Sequence, residues 1–177
     1  MLPSEVKFLR QKDYTLVREL GRGACGVTVL LNDPSIDHQL VCKKFAPSSV
    51  PDSWRMELFV NFVSEIKVLH LLAHPNIVRI FNFYIYPEKQ IGYLTMEYIE
   101  GEAIDAYVVM RPDQAVSIFN QLVSGFSYLE EQRILHRDIR TQNIMVDASG
   151  VVKIIDFGFG KMVSPSGDFD KSISLNW

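Results

Sequence analysis

Cysteine is scarce in this chain. Cys25 and Cys42 are too few for a disulfide framework and suit a reducing compartment. Long apolar runs are missing as well. Nothing approaches the roughly 20 residues of a membrane-spanning helix, and the opening Met1-Leu2-Pro3-Ser4-Glu5-Val6-Lys7 lacks the apolar stretch of a signal peptide. A soluble, cytoplasmic protein is expected. Charge of one sign is not in excess either. With 18 basic and 21 acidic residues the net charge is -3, which gives no sign of nucleic-acid or polyanion binding, although a phosphate site needs only a few placed cations and backbone N–H groups. Internal repeats and low-complexity tracts are absent. What remains is 177 residues, the size of one domain, of which 47% are apolar and can build a sizeable core.

The chemistry is concentrated between His136 and Gly158. His136-Arg137-Asp138-Ile139-Arg140-Thr141-Gln142-Asn143 precedes an apolar run, and Asp156-Phe157-Gly158 follows it. Ile144-Met145-Val146 and Val151-Val152-Lys153-Ile154-Ile155 read as strands, with Asp147-Ala148-Ser149-Gly150 as their turn. Such a hairpin brings Asn143 and Asp156 to one end, where two oxygen donors suit a hard cation such as Mg²⁺. Asp138, five residues before Asn143, is then free to accept a proton from a hydroxyl nucleophile.

At these residues the sequence resembles the eukaryotic-type protein kinase family. His136-Arg137-Asp138 with Asn143 matches the H-R-D-L catalytic loop, Ile139 standing for Leu, and Asp156-Phe157-Gly158 matches D-F-G. The resemblance implies an α+β fold: an antiparallel N-lobe sheet with helix C over residues 1–96, a hinge at 97–101, and an incomplete helical C-lobe over 102–177.

Other stretches fit the same family. Tyr14 to Leu20 alternates as a strand, Gly21-Arg22-Gly23-Ala24-Cys25-Gly26 follows, and Val27-Thr28-Val29-Leu30-Leu31 reads as a second strand. Strand–loop–strand is the kinase arrangement for covering ATP phosphates, whereas a dinucleotide-binding loop would open a helix. Thr28 stands where the family usually has Val against adenine, and Cys25 where it often has an aromatic. In Leu40-Val41-Cys42-Lys43-Lys44-Phe45 adjacent lysines point to opposite faces. Lys43 is the better phosphate-binding residue, because choosing Lys44 would bury Lys43 in the apolar face; Val41 then takes the small position beside the nucleotide.

Trp54 to Leu72 is predicted helical, with Leu58, Phe59, Phe62, Val63, Ile66, Leu69 and Leu72 recurring at three- and four-residue steps. By resemblance Glu65, better placed than Glu57, pairs with Lys43, and His74-Pro75-Asn76-Ile77-Val78 matches the junction after helix C. His70 and His74 are expected to be structural. Strands are predicted at Val78–Tyr84 and Gln90–Met96. The resemblance makes Met96 the gatekeeper, gives the backbone of Glu97 and Ile99 to the adenine edge, and offers Glu102 to the ribose. A helix is predicted over Pro112–Glu131, with Ile118, Leu122, Phe126 and Leu129 as its buried stripe.

The function so implied is transfer of the ATP γ-phosphate to a protein hydroxyl, Ser/Thr favoured, with Mg²⁺ held by Asn143 and Asp156 and Asp138 as the base. Arg140 stands where Ser/Thr kinases usually carry Lys beside the γ-phosphate. Arg137 would meet a phosphate on the following loop, where Ser164, Ser166, Ser172 and Ser174 are available. Only 19 residues follow Gly158, and they contain no Ala-Pro-Glu motif. Three explanations stay open: a partial copy of a longer kinase, a minimal kinase completed by a protein partner or self-association, or a nucleotide-binding scaffold without turnover. A small-molecule kinase is a further alternative.

Overall fold

The computed structural model describes residues 13–23, 25–47, 50–157 and 161–162. Ala24, Gly158, Ser164, Ser166, Ser172 and Ser174, singled out above, lie outside them. Strands β1 (Thr15–Gly23), β2 (Gly26–Asp33) and β3 (His38–Phe45) are followed by helix α1 (Asp52–Leu71), then β4 (Ile80–Tyr86) and β5 (Ile91–Glu97). The five strands form one antiparallel sheet in the order β1-β2-β3-β5-β4. β-Branched Val27, Thr28 and Val29 favour the extended chain of β2. The Asp33 carboxylate closes the β2–β3 turn by accepting from the Ser35 amide at 3.1 Å and hydroxyl at 2.6 Å.

Helix α1 starts behind Pro51 and lies on the sheet. Phe59, Phe62, Val63, Ile66 and Leu69 are buried, as their spacing predicts, and each contributes roughly 1.5–3 kcal/mol through burial. Phe62 stacks on Phe45 with ring centroids 5.2 Å apart. The helix approaches so closely that a Cβ at Gly92 of β5 would collide with the Phe62 ring.

β4 begins at Ile80, two residues later than the Val78 expected, for a tertiary reason. The Val78 amide donates to the Ile154 carbonyl at 3.0 Å, and the Ile154 amide donates to the Asn76 carbonyl at 2.8 Å. Residues 76–78 thus run parallel to a strand near the other end of the chain, bridging Ile77 to Ile154.

Apart from one further helix, the remaining elements are short. β6 (Gly101–Ala103) and α2 (Ile104–Met110) lead to α3 (Ala115–Glu131), and then come β7 (Ile134–Leu135), β8 (Ile144–Asp147), β9 (Val152–Ile154) and β10 (Lys161–Met162). β6, β8 and β9 form a three-stranded sheet, and β7 pairs with β10. The predicted Pro112–Glu131 helix is two pieces, a 3-10 turn over Pro112–Gln114 and then α3. Proline supplies no N–H, so it tolerates a first turn but does not extend the hydrogen-bond ladder.

Ile118 and Leu129 are buried, with Leu122 and Phe126 packed against the core, as the predicted stripe requires. That stripe is covered. On α3 itself the exposed large apolar residues are Val116, Phe119 and Val123. Among the described residues, no helix is long and apolar enough to cross a membrane.

His74 joins the two groups of elements. Its ring stacks on Tyr128 of α3 at 4.9 Å, its Nδ1 accepts from the Asn76 amide at 3.1 Å, and its Nε2 lies 3.3 Å from the Ser124 hydroxyl. Burial pushes its pKa below the ordinary histidine value, and Lys153 adds to the effect against the opposing pull of Glu131. The unfolded chain therefore binds the proton more readily. The stabilisation from neutral His74 is present above about pH 6.5 and is lost as pH falls through the lower folded value. Urea unfolding between pH 7.5 and 5 should show stability falling with acid, and a His74→Gln variant should show a shallower fall; equal slopes would refute this account of His74.

Candidate functional site

A cleft of about 380 Å³ opens between the five-stranded sheet and the β8–β9 hairpin. Volumes of a few hundred Å³ are typical of small-molecule pockets. Its apolar walls come from Leu20, Val41, Met96 and Ile99 above, and from Met145 and Ile155 below. Lys43, Glu65 and Asp156 close its inner end, and Thr28 faces in beside them, opposite Lys43 across the β2–β3 register.

The inner end is ionic. Lys43 Nζ lies 2.7 and 2.9 Å from the two Glu65 oxygens and 3.1 Å from Asp156 Oδ1. The β3 alternation explains the choice between the lysines: Cys42 is buried on one face, Lys43 faces the cleft, and Lys44 lies over the Tyr93 ring at 5.6 Å. Burial pulls the Lys43 pKa down, but the Glu65 and Asp156 carboxylates more than reverse it, so the net shift is upward and the ammonium stays charged. Burial pushes the Glu65 carboxyl up, against the opposing charge of Lys43. Asp156 carries a further constraint. Its φ of 59° is in the left-handed region, which a non-glycine residue adopts at some cost, and such positions concentrate at functional sites.

Asp138 and Asn143 form a second cluster tied to the first. Asn143 is buried, and its side-chain amide donates to the Asp138 carbonyl at 3.0 Å and to Asp138 Oδ2 at 2.8 Å. The Ile155 amide donates to the Asn143 carbonyl at 2.9 Å, which joins the loop to the residue before Asp156. Beneath them, buried His136 bonds the Ile155 carbonyl through Nε2 at 3.0 Å, accepts from the Asp138 amide through Nδ1 at 3.3 Å, and packs on Phe157 at 4.5 Å. Arg140 is exposed and donates to Gln142 at 3.2 Å.

The donor set fits Mg²⁺. Asn143 and Asp156 offer hard oxygen atoms, few in number, as a cation that completes its shell with phosphate and water requires. Among the described residues, no group of three or more His, Cys, Asp or Glu side chains could hold a metal on its own.

The glycine loop is only partly constrained. Gly26 has φ 146°, and a Cβ there would collide with the Lys44 carbonyl, so glycine is required. Gly21 and Gly23 face open space, and the Arg22 guanidinium pairs with Glu19, with Nε to Oε1 at 3.0 Å. Glu97 lines the cleft, but its carboxylate holds the Lys153 ammonium at 2.8 Å and accepts from the Arg79 amide at 2.6 Å. Glu102 is not part of the cleft wall and sits 3.7 Å from Arg111.

Sequence reasoning passed over Leu20, Met145 and Ile155, which supply much of the apolar wall. Met145 was detectable: Ile144 and Val146 are buried on one side of β8, so the residue between them must face the other way.

Removing Lys43 should expose the cost of burying Glu65. Without the ammonium, burial and then the nearby Asp156 charge both push the carboxyl above its ordinary value of about 4.3, unopposed. A group shifted in that direction stabilises at low pH, and its contribution is lost as pH rises through the folded pKa. Lys43→Met is thus expected to lose stability relative to the parent between pH 5.5 and 8 in urea titrations; a constant difference would contradict it.

A family model described as the protein kinase domain matches residues 14–176. A probable serine/threonine-protein kinase of Dictyostelium discoideum is 32% identical over 150 residues, covering 82% of this chain and 22% of that protein. Sperm motility kinase 2B of Mus musculus is 34% identical, with 86% of this chain and 30% of the relative aligned. Serine/threonine-protein kinase PrkC of Bacillus subtilis is 31% identical over 85% of this chain and 23% of its own length. The chain thus spans less than a third of each of these relatives. A match of that extent, on a sheet of this strand order enclosing this cleft, makes the chain a member of the protein kinase family.

Proposed function

We propose that the chain binds ATP with Mg²⁺ in the cleft and transfers the γ-phosphate to a protein hydroxyl. The observation that carries this reading is the Lys43 ammonium held between Glu65 and Asp156 at the inner end of a pocket whose walls are mostly apolar. A fixed cation there can meet phosphate oxygens while the apolar walls take a flat heterocycle. The names of the relatives as serine/threonine kinases support Ser or Thr as acceptor.

Phosphoryl transfer depends on positioning and on neutralising charge more than on covalent chemistry. In this reading Gly21, Gly23 and Gly26 leave the backbone of the β1–β2 loop close to the phosphates. Leu20, Val41, Met96 and Met145 sandwich the base, with the backbone of Glu97 and Ile99 at its polar edge. Lys43 orients the phosphates, and Glu65 keeps Lys43 in place. Asn143 and Asp156 would hold the Mg²⁺, which when bound neutralises charge on the phosphate oxygens. Asp138, its Oδ2 oriented by Asn143, aligns the acceptor hydroxyl and takes its proton. Arg140 supplies a cation beside the transferred group.

The test is transfer of ³²P from γ-labelled ATP to a generic basic protein, with Asp138→Asn as the control. A positioned general base contributes about 10²–10⁴-fold, so the variant should lose at least about 10²-fold in rate. Its melting temperature should still rise with Mg-ATP, because ligand binding to the folded state stabilises it. Equal labelling by parent and variant would overturn the role of Asp138, and a parent stabilised by Mg-ATP that labels no protein would favour a scaffold.

A further inference from the structure

Gln121 takes no part in the cleft, yet its side chain makes three hydrogen bonds to two separate segments, one at Asn76 and one at 150–152. Its Oε1 accepts from the Asn76 side-chain amide at 3.0 Å and from the Val152 backbone amide at 2.9 Å. Its Nε2 donates to the Gly150 carbonyl at 2.8 Å. Asn76 is itself buried and donates a second bond to the Val152 carbonyl at 3.0 Å. One amide of α3 therefore grips the turn before β9, the first residue of β9, and the segment that runs beside β9.

We infer that Gln121 is a positioning residue for the pair Asn143 and Asp156, acting through the axial placement of β9. β9 has three residues, so a displacement at Val152 is carried to Ile155 with little chain to absorb it. From Ile155 the effect reaches both members of the pair, because Ile155 precedes Asp156 and its amide holds the Asn143 carbonyl. The helix is held close on the same side. A Cβ at Gly125, one turn after Gln121, would come 2.8 Å from the Ile154 Cδ1. Only an amide meets all three partners, since Oε1 must accept twice while Nε2 donates to a carbonyl. A carboxylate keeps the acceptor and faces Gly150 with like polarity. The inference rests on the reading of Asn143 and Asp156 as the magnesium pair.

Groups that orient metal ligands from outside the coordination shell typically change metal affinity by about 10–100-fold when removed. The experiment follows binding of a fluorescent ATP analogue by the full chain, in EDTA and then across a Mg²⁺ titration. For Gln121→Leu, affinity in EDTA should stay within about twofold of the parent, while the Mg²⁺ concentration for half-saturation rises about tenfold. Gln121→Glu keeps the acceptor for Asn76 and Val152, carries the same test if the Leu variant does not fold, and should shift the midpoint in the same direction. An unchanged midpoint, or equal weakening with and without metal, would mean that Gln121 is only part of the packing. A parent chain that binds the analogue equally in EDTA and in Mg²⁺ would overturn the magnesium reading, and this inference with it.

Discussion

The site depends on one ammonium group shared between two carboxylates. Lys43 comes from a strand, Glu65 from a helix and Asp156 from a loop more than a hundred residues away. An ion pair left in apolar surroundings is a weak source of stability, because desolvation offsets most of the attraction. Its use here is geometric. Glu65 cannot stay buried and charged unless Lys43 reaches it, so the helix must lie against the sheet at one rotation. Asp156 completes the arrangement from the other side of the cleft, which ties the closed shape of the pocket to the charge state of its inner end.

Much of this was legible in the sequence, because chemistry at fixed spacings leaves few alternatives. Asn143 and Asp156 flank a hairpin whose β-branched strands and Asp-Ala-Ser-Gly turn are local signals, and the hairpin is where it was expected. The choice of Lys43 over Lys44 combined the family pattern, which puts a small residue two before the lysine, with strand alternation and the cost of burying an unpaired charge. Glu65 came from the family resemblance, the junction at His74-Pro75-Asn76-Ile77-Val78 setting its register.

What stayed hidden was set by contacts between distant parts. The start of β4 moved because residues 76–78 bond to β9, which no window around Val78 reveals. β6 is three residues long and exists by pairing with β8, where a Cβ at Gly101 would strike the Val146 carbonyl. α2 has seven residues, too few for a periodic pattern to stand out. Gln121 reads as an ordinary polar residue in a helix, and nothing in its neighbours indicates three partners.

The parallel run of residues 76–78 beside β9 also bears on how the chain acquires its structure. These two segments are far apart in sequence, and each supplies backbone hydrogen bonds that the other lacks locally. A long loop must close before either is satisfied, and loop closure raises the folding barrier more than it lowers final stability. The sheet with its helix is thus tied to the hairpin by backbone bonds between distant segments, and Ile77, Val78 and Ile154 share one buried cluster.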